Sequence, residues 1–127
     1  MRFSRPRWNL TICLLSVLIG ISAVECVNAQ SITRSMASGF MREGMSLLSG
    51  GQNGAAAAKF EEVWYMDDDD GEIPDVRGMA GVSLCVARLR MNQISAARTA
   101  CTRVLQMPGN IPQEIRDGAT RILNSMK

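Results

Sequence analysis

The chain has 127 residues and a formal charge of +2, with 46% hydrophobic residues, 5% aromatic residues and no histidine. The missing imidazole removes the commonest general base, the catalytic triads built on it and the usual transition-metal ligand. This length allows one small domain, and Ala, Met, Leu and Val rather than aromatic rings must fill most of its core.

At the N-terminus, Arg2, Arg5 and Arg7 precede an uncharged run from Leu10 to Val24. Fifteen residues are too few for a typical membrane span and match the apolar centre of an export signal. Val27-Asn28-Ala29 followed by Gln30 suits signal peptidase, so cleavage is expected after Ala29, with 1–29 as signal and 30–127 as one folded domain. The alternatives are an uncleaved anchor and lipid attachment at Cys26, the latter disfavoured by Glu25 just before it. Export predicts a periplasmic or secreted protein. Cleavage would leave 11 basic and 11 acidic residues, so the +2 of the whole chain says nothing about nucleic acid, and none is expected as a partner. The neutral sum conceals a split: residues 30–76 hold three basic and nine acidic residues (net −6), and residues 77–127 hold eight basic and two acidic (net +6). Such a domain has an acidic end and a basic end, which either attract each other within the fold or orient docking and head-to-tail assembly.

Beyond the signal, apolar residues recur every three or four positions, and no strand-like alternation interrupts them, so the class is all-α. A first helix is expected over about Ile32 to Leu48, ending at Ser49-Gly50-Gly51, where paired glycines suit a left-handed C-cap. Asn53 is placed to cap a second helix that begins at Ala55 to Ala58 and turns Ala56, Phe60, Val63 and Trp64 inward. Pro74, which has no amide hydrogen to leave unpaired, opens a third helix running to Arg90. Its apolar residues, from Val76 and Met79 to Val86 and Leu89, surround most of the circumference and mark it as the central helix. A fourth helix carries Ile94, Ala97, Cys101, Val104 and Leu105 and stops at Pro108-Gly109. A fifth, from about Pro112 with Asn110 as its cap, presents Ile115, Ala119, Ile122, Leu123 and Met126.

Superposing the first helix pair on the second reveals an internal similarity. Phe40, Gly44, Leu47, Gly51, Ala56, Phe60 and Val63 recur, 41 residues on, as Gly81, Cys85, Arg88, Asn92, Ala97, Cys101 and Val104, with Pro108 closing the second set. This spacing of large, small, turn, alanine, aromatic and aliphatic residues resembles the tetratricopeptide repeat over residues 37–109. Gly81 and Arg88 depart from the family pattern, where bulky apolar residues are usual, and the displacement exceeds the family's 34. The resemblance implies an α-solenoid of two antiparallel hairpins, with a first unit at 37–66, an acidic loop at 67–73, a second unit at 74–109 and a capping helix at 110–127. In each unit a small residue meets an alanine at the helix crossing, Gly44 with Ala56 and Cys85 with Ala97. An ordinary four- or five-helix bundle is the other architecture compatible with the pattern.

The resemblance also implies a concave face lined by Met41, Met45 and Leu48 of the first unit and by Val82, Val86, Leu89 and Arg90 of the second. Flexible thioethers and aliphatic groups there would accept an apolar helix or an extended peptide; the same stripe reads equally as core. Outside the signal two cysteines remain, Cys85 and Cys101, each eight residues from Gln93. A hairpin centred on Gln93 sets them opposite each other for a disulfide, whereas pairing Cys85 with Ala97 leaves Cys101 a helical turn away. Asp67, Asp68, Asp69 and Asp70 form an acidic patch that fails the calcium-loop pattern, since the first ligand would be Met66 and the closing carboxylate Arg77. It reads as a solvated loop, a weak calcium site or a docking patch for a basic partner. With no histidine and no nucleophile motif, an enzyme is the least expected class, and no cofactor or resident metal is expected. The leading expectation is an adaptor that binds a protein or peptide in a bacterial-type envelope complex; the alternative is a structural subunit of a homo-oligomer.

Overall fold

A computed structural model describes residues 23–66, 73–109 and 111–127, with side chains from Ile32 onward. In chain order the helices are α1 (Ala23–Ser49), α2 (Asn53–Trp64), α3 (Pro74–Arg90), α4 (Ile94–Leu105) and α5 (Gln113–Ser125), and the described residues contain no strand. The third, fourth and fifth begin and end close to where their periodicity and prolines place them. The first begins nine residues before Ile32, because no proline or glycine interrupts 23–38. α1 therefore runs through Ala29, the expected processing point. Residues 1–22, which hold most of the expected export signal, lie outside the described residues, as do the Asp67–Asp70 run and the expected cap Asn110.

Each helix packs on the next, α3 also meets α1 and α5, and α3 is thus the central helix that its apolar circumference implies. α1 and α3 run parallel: Arg34, midway along α1, pairs with Asp75 at the N-terminal end of α3 at 3.2 Å, and Arg90 Nη1 donates to the Leu48 carbonyl at 3.1 Å at the C-terminal ends of both. An all-α stack of hairpins results, with α5 laid over the last of them.

The two hairpin turns repeat each other. Gly51 (φ +80°) and Asn92 (φ +60°) both take the left-handed conformation that ends a helix. Around Gly51, Gln52 N donates to Leu47 O at 2.9 Å and Gly51 N to Leu48 O at 3.1 Å. Around Asn92, Gln93 N donates to Arg88 O at 2.9 Å and Asn92 N to Leu89 O at 3.0 Å, the same pair of bonds 41 residues later. Glycine and asparagine are the two residues that adopt this φ at least cost. Asn53, expected to cap α2, is instead its first helical residue; Gln52 holds the cap position without a side-chain bond, and Asn53 Oδ1 is buried with no partner.

Small residues let these helices approach. A Cβ on Gly44 would lie within 3.0 Å of three carbons of the Phe60 ring, so Phe60 rather than Ala56 is its nearest neighbour across α1 and α2. In the second hairpin the equivalent positions are Cys85 and Cys101, which stand at disulfide distance with Cα atoms 5.6 Å apart. The hairpin centred on Gln93 is therefore the observed register, and the alternative that sets Cys85 against Ala97 is corrected. The core around these crossings is built from Phe60, Val63, Ile73, Val104 and the cysteine pair, all fully buried, together with a run of buried alanines.

Polar contacts tie the stack at its edges. Arg88 pairs with Glu61, joining α3 to α2 across the boundary between the basic and acidic halves. Lys59 pairs with Glu43 at 3.1 Å; the hydrogen bond first, and the carboxylate charge second, hold its ammonium above the ordinary lysine range. Arg116 of α5 donates to the carbonyls of Leu105 and Met107, both at 3.1 Å, and so satisfies the C-terminal end of α4.

Candidate functional site

α2 and α4 pack on α1 and α3, and apart from α5 beside α3 no other described helix packs on these two parallel helices. Helical spacing decides which residues line the sector left over. On α3, Gly81 faces Val104 of α4 and Trp64 of α2, Cys85 faces α4, and Gly78 faces Ile115 of α5 and Ile111 just before it. The remaining sector holds Met79 and Val86, at i and i+7, with Val82 at its edge beside α5, where a Cβ on Gly118 would lie 3.9 Å from it. On α1, Gly44 is spent on α2, and Met45 turns toward α3, where Ser83 Oγ stands 3.9 Å from its sulfur.

Within this sector Met45 is 47% exposed and Met79 is 51% exposed. Val82, Val86 and Leu89 are half-buried and packed on the core below them. Two adaptable thioethers thus stand on a fixed aliphatic floor. Arg90 is exposed at the C-terminal end of the face, its guanidinium anchored on the Leu48 carbonyl, and Arg42 is exposed one turn before Met45 on α1.

Two residues expected on this face are not there. Met41 and Leu48 are 7% and 6% exposed and belong to the core. The reason is the approach of α3: Met41 and Leu48 point between α3 and α2, whereas Met45 is rotated toward solvent. Met79 was missed as a site residue, because a residue on a helix that is apolar nearly all round gives no sequence signal for the sector left uncovered.

The outer stripe of α4, formed by Ser95, Arg98, Thr99, Thr102, Arg103 and Gln106, borders a shallow open depression. Several of its polar groups are bonded within the chain: Thr99 to the Ser95 carbonyl, Arg98 to the Met126 carbonyl and Arg103 to the Tyr65 hydroxyl. It is a solvated helix face. No group of three or more potential metal-ligating side chains occurs among the described residues. No described helix is long and apolar enough to cross a membrane, and the cysteine pair is compatible with an extracytoplasmic location. No protein-family model, curated protein or solved structure matches the chain.

Proposed function

We propose that the chain is an exported, tetratricopeptide-like interaction module whose Met45 and Met79 face receives an apolar helix or extended peptide of a partner protein in the cell envelope. The observation that carries this reading is the half exposure of both methionines on two parallel helices, above half-buried Val82 and Val86. An exposed apolar patch on a small domain needs an occupant, and thioethers adapt to side chains of varied shape. Arg42 and Arg90 favour a partner with an acidic residue beside its apolar anchor. The cysteine pair fits an oxidising compartment, in keeping with the signal-like N-terminus.

The test is a photo-activated cross-linker placed in turn at positions 45, 79 and 99 in intact cells. The expected result is one protein adduct shared by positions 45 and 79 and absent from Thr99 on the far side of α4, and lost when Val86→Glu is added. Identical adducts from all three positions, or none from 45 and 79, would refute the reading.

A further inference from the structure

Met45 and Met79, the two half-exposed thioethers of the proposed docking face, differ in what surrounds their sulfurs. Ser83 Oγ donates to the Met45 sulfur at 3.9 Å, whereas no hydrogen bond reaches the Met79 sulfur among the described residues. A thioether is a weak acceptor, so the difference matters little while both sulfurs are reduced. It matters once an oxygen is added.

Peroxides make that addition. The sulfur gives an electron pair to one peroxide oxygen, an S–O bond forms as the O–O bond breaks, and the second oxygen leaves as water. Sulfur has then lost two electrons, peroxide has gained them, and a flexible apolar side chain has become a sulfoxide with a strong acceptor oxygen. Exposure decides which methionines react first: Met36, Met45 and Met79 are 52%, 47% and 51% exposed, against 7% for Met41.

The cost of a sulfoxide beneath an apolar partner depends on the donors within reach, because a polar oxygen buried without one forfeits its hydration. At Met45 the Ser83 hydroxyl that now donates to sulfur can donate to the sulfoxide oxygen instead. Met79 has no equivalent. Ser83 lies one turn after it on α3, but a hydroxyl has one proton and this one is directed at Met45. Long helical side chains lean toward the N-terminus, which sets the Met79 sulfur over the turn of Asp75. The Asp75 carboxylate accepts and cannot donate, and Arg34 gives one bond to each of its oxygens, at 3.4 Å and 3.2 Å. Arg42 is exposed on α1 and in the docked state answers the acidic residue of the partner.

We infer that Met79 is a modification site at which a peroxide-class oxidant releases the docked partner, and that Ser83 makes Met45 tolerant of the same oxidation. This rests on the docking face proposed above. Oxidation and docking oppose each other: the partner covers Met79 and slows its reaction, and the Met79 sulfoxide weakens docking by about tenfold or more, the order expected of one unsatisfied buried acceptor. A sulfoxide reductase restores the thioether and with it the affinity.

The cross-linker positions 45 and 79 separate the two sulfurs, since each replaces one methionine and leaves the other. Cells carrying the full chain are given a hydrogen peroxide pulse before illumination, and the sulfoxide at each methionine is read by peptide mass. With the cross-linker at 45, oxidation of Met79 is expected to remove the adduct, and Met79→Leu to preserve it under the same pulse, which excludes damage to the partner as the cause. With the cross-linker at 79, oxidation of Met45 is expected to leave the adduct in place, and Ser83→Ala to make it peroxide-sensitive. A position 45 adduct that survives full conversion of Met79, or that Met79→Leu fails to protect, overturns the inference. So does a position 79 adduct whose response to peroxide is the same with and without the Ser83 hydroxyl. Absence of any adduct before the pulse overturns the docking face and this inference with it, whereas survival of both adducts after the pulse overturns this inference alone.

Discussion

The hairpin of α1 and α2 and the hairpin of α3 and α4 share a backbone and differ in what fills their crossing. Both turn through a left-handed residue with the same two amide bonds, at Gly51 and at Asn92. In the first, Gly44 leaves a hollow and the Phe60 ring occupies it; in the second, the equivalent positions are Cys85 and Cys101 at disulfide distance. One slot is closed by a ring against a glycine, the other by two small residues that a bond can join. The second hairpin's other departures also have a physical cause, and it lies partly in the first hairpin. Gly81 is small because Trp64 and Val104 occupy the space a side chain would need, and Arg88 is charged because Glu61 of α2 faces it. The second hairpin is thus shaped in part by the first, on which α3 packs.

If the two crossings are energetic equivalents, removing either filling should cost a similar amount. Phe60→Ala empties a fully buried site and is expected to cost about 3–5 kcal/mol in urea denaturation. Opening the Cys85–Cys101 link, which spans 16 residues, should cost about 3 kcal/mol in the chain-entropy model. Alkylation of unreduced protein should leave both cysteines unmodified, and reduction should lower the denaturation midpoint of wild type and Phe60→Ala by equal amounts. Modification of both cysteines without reductant would show that packing alone closes the second crossing.

Much of this was readable from the sequence. The 3–4 spacing placed the helices, Pro74 marked the start of α3, and the paired glycines marked the turn at Gly51, because each rests on local backbone chemistry. The turn at Asn92 followed from its displacement from Gly51. What stayed hidden depends on how the helices are rotated against each other. Met41, Met45 and Leu48 share one broad stripe in sequence, and only the approach of α3 decides that Met45 faces solvent. Met79 and the carbonyl-capping roles of Arg90 and Arg116 were hidden for the same reason: each depends on a neighbour distant in sequence.

The claim that the first unit shapes the second can be broken at Gly81. Gly81→Ala places a methyl group against Trp64 and Val104, and the overpacking of about 1–3 kcal/mol should exceed the gain of roughly 1 kcal/mol in helix propensity. Shortening Trp64 to leucine in the same chain should recover part of the loss, a coupling that a double-mutant cycle measures directly. Absence of coupling would mean that Gly81 serves Val104 alone, inside its own hairpin. Arg88→Leu, which restores the apolar residue found at Leu47, should change stability by no more than about 1 kcal/mol, since Glu61 is 41% exposed and the pair is partly solvated.

The smallest effect belongs to the contact that joins the hairpins through α1 and α3. Desolvation raises the affinity of the Asp75 carboxyl for its proton, but the hydrogen bond from Arg34, the amides of Val76 and Asp75 and the Arg34 charge more than offset this and hold it below the ordinary aspartate range. A depressed folded-state value means that the stabilisation is fully present above the unfolded value of about 3.9 and is lost as pH falls through the lower folded value. Both side chains are substantially exposed, at 48% and 40%, so the contribution should stay under about 1 kcal/mol and shrink further in salt. Asp75→Asn should therefore be slightly less stable than wild type near neutrality and equal to it once both are acidified below the folded value. If the two curves remain parallel throughout, the Arg34–Asp75 contact does not stabilise the junction, and the hairpins are held together by the other contacts of α3.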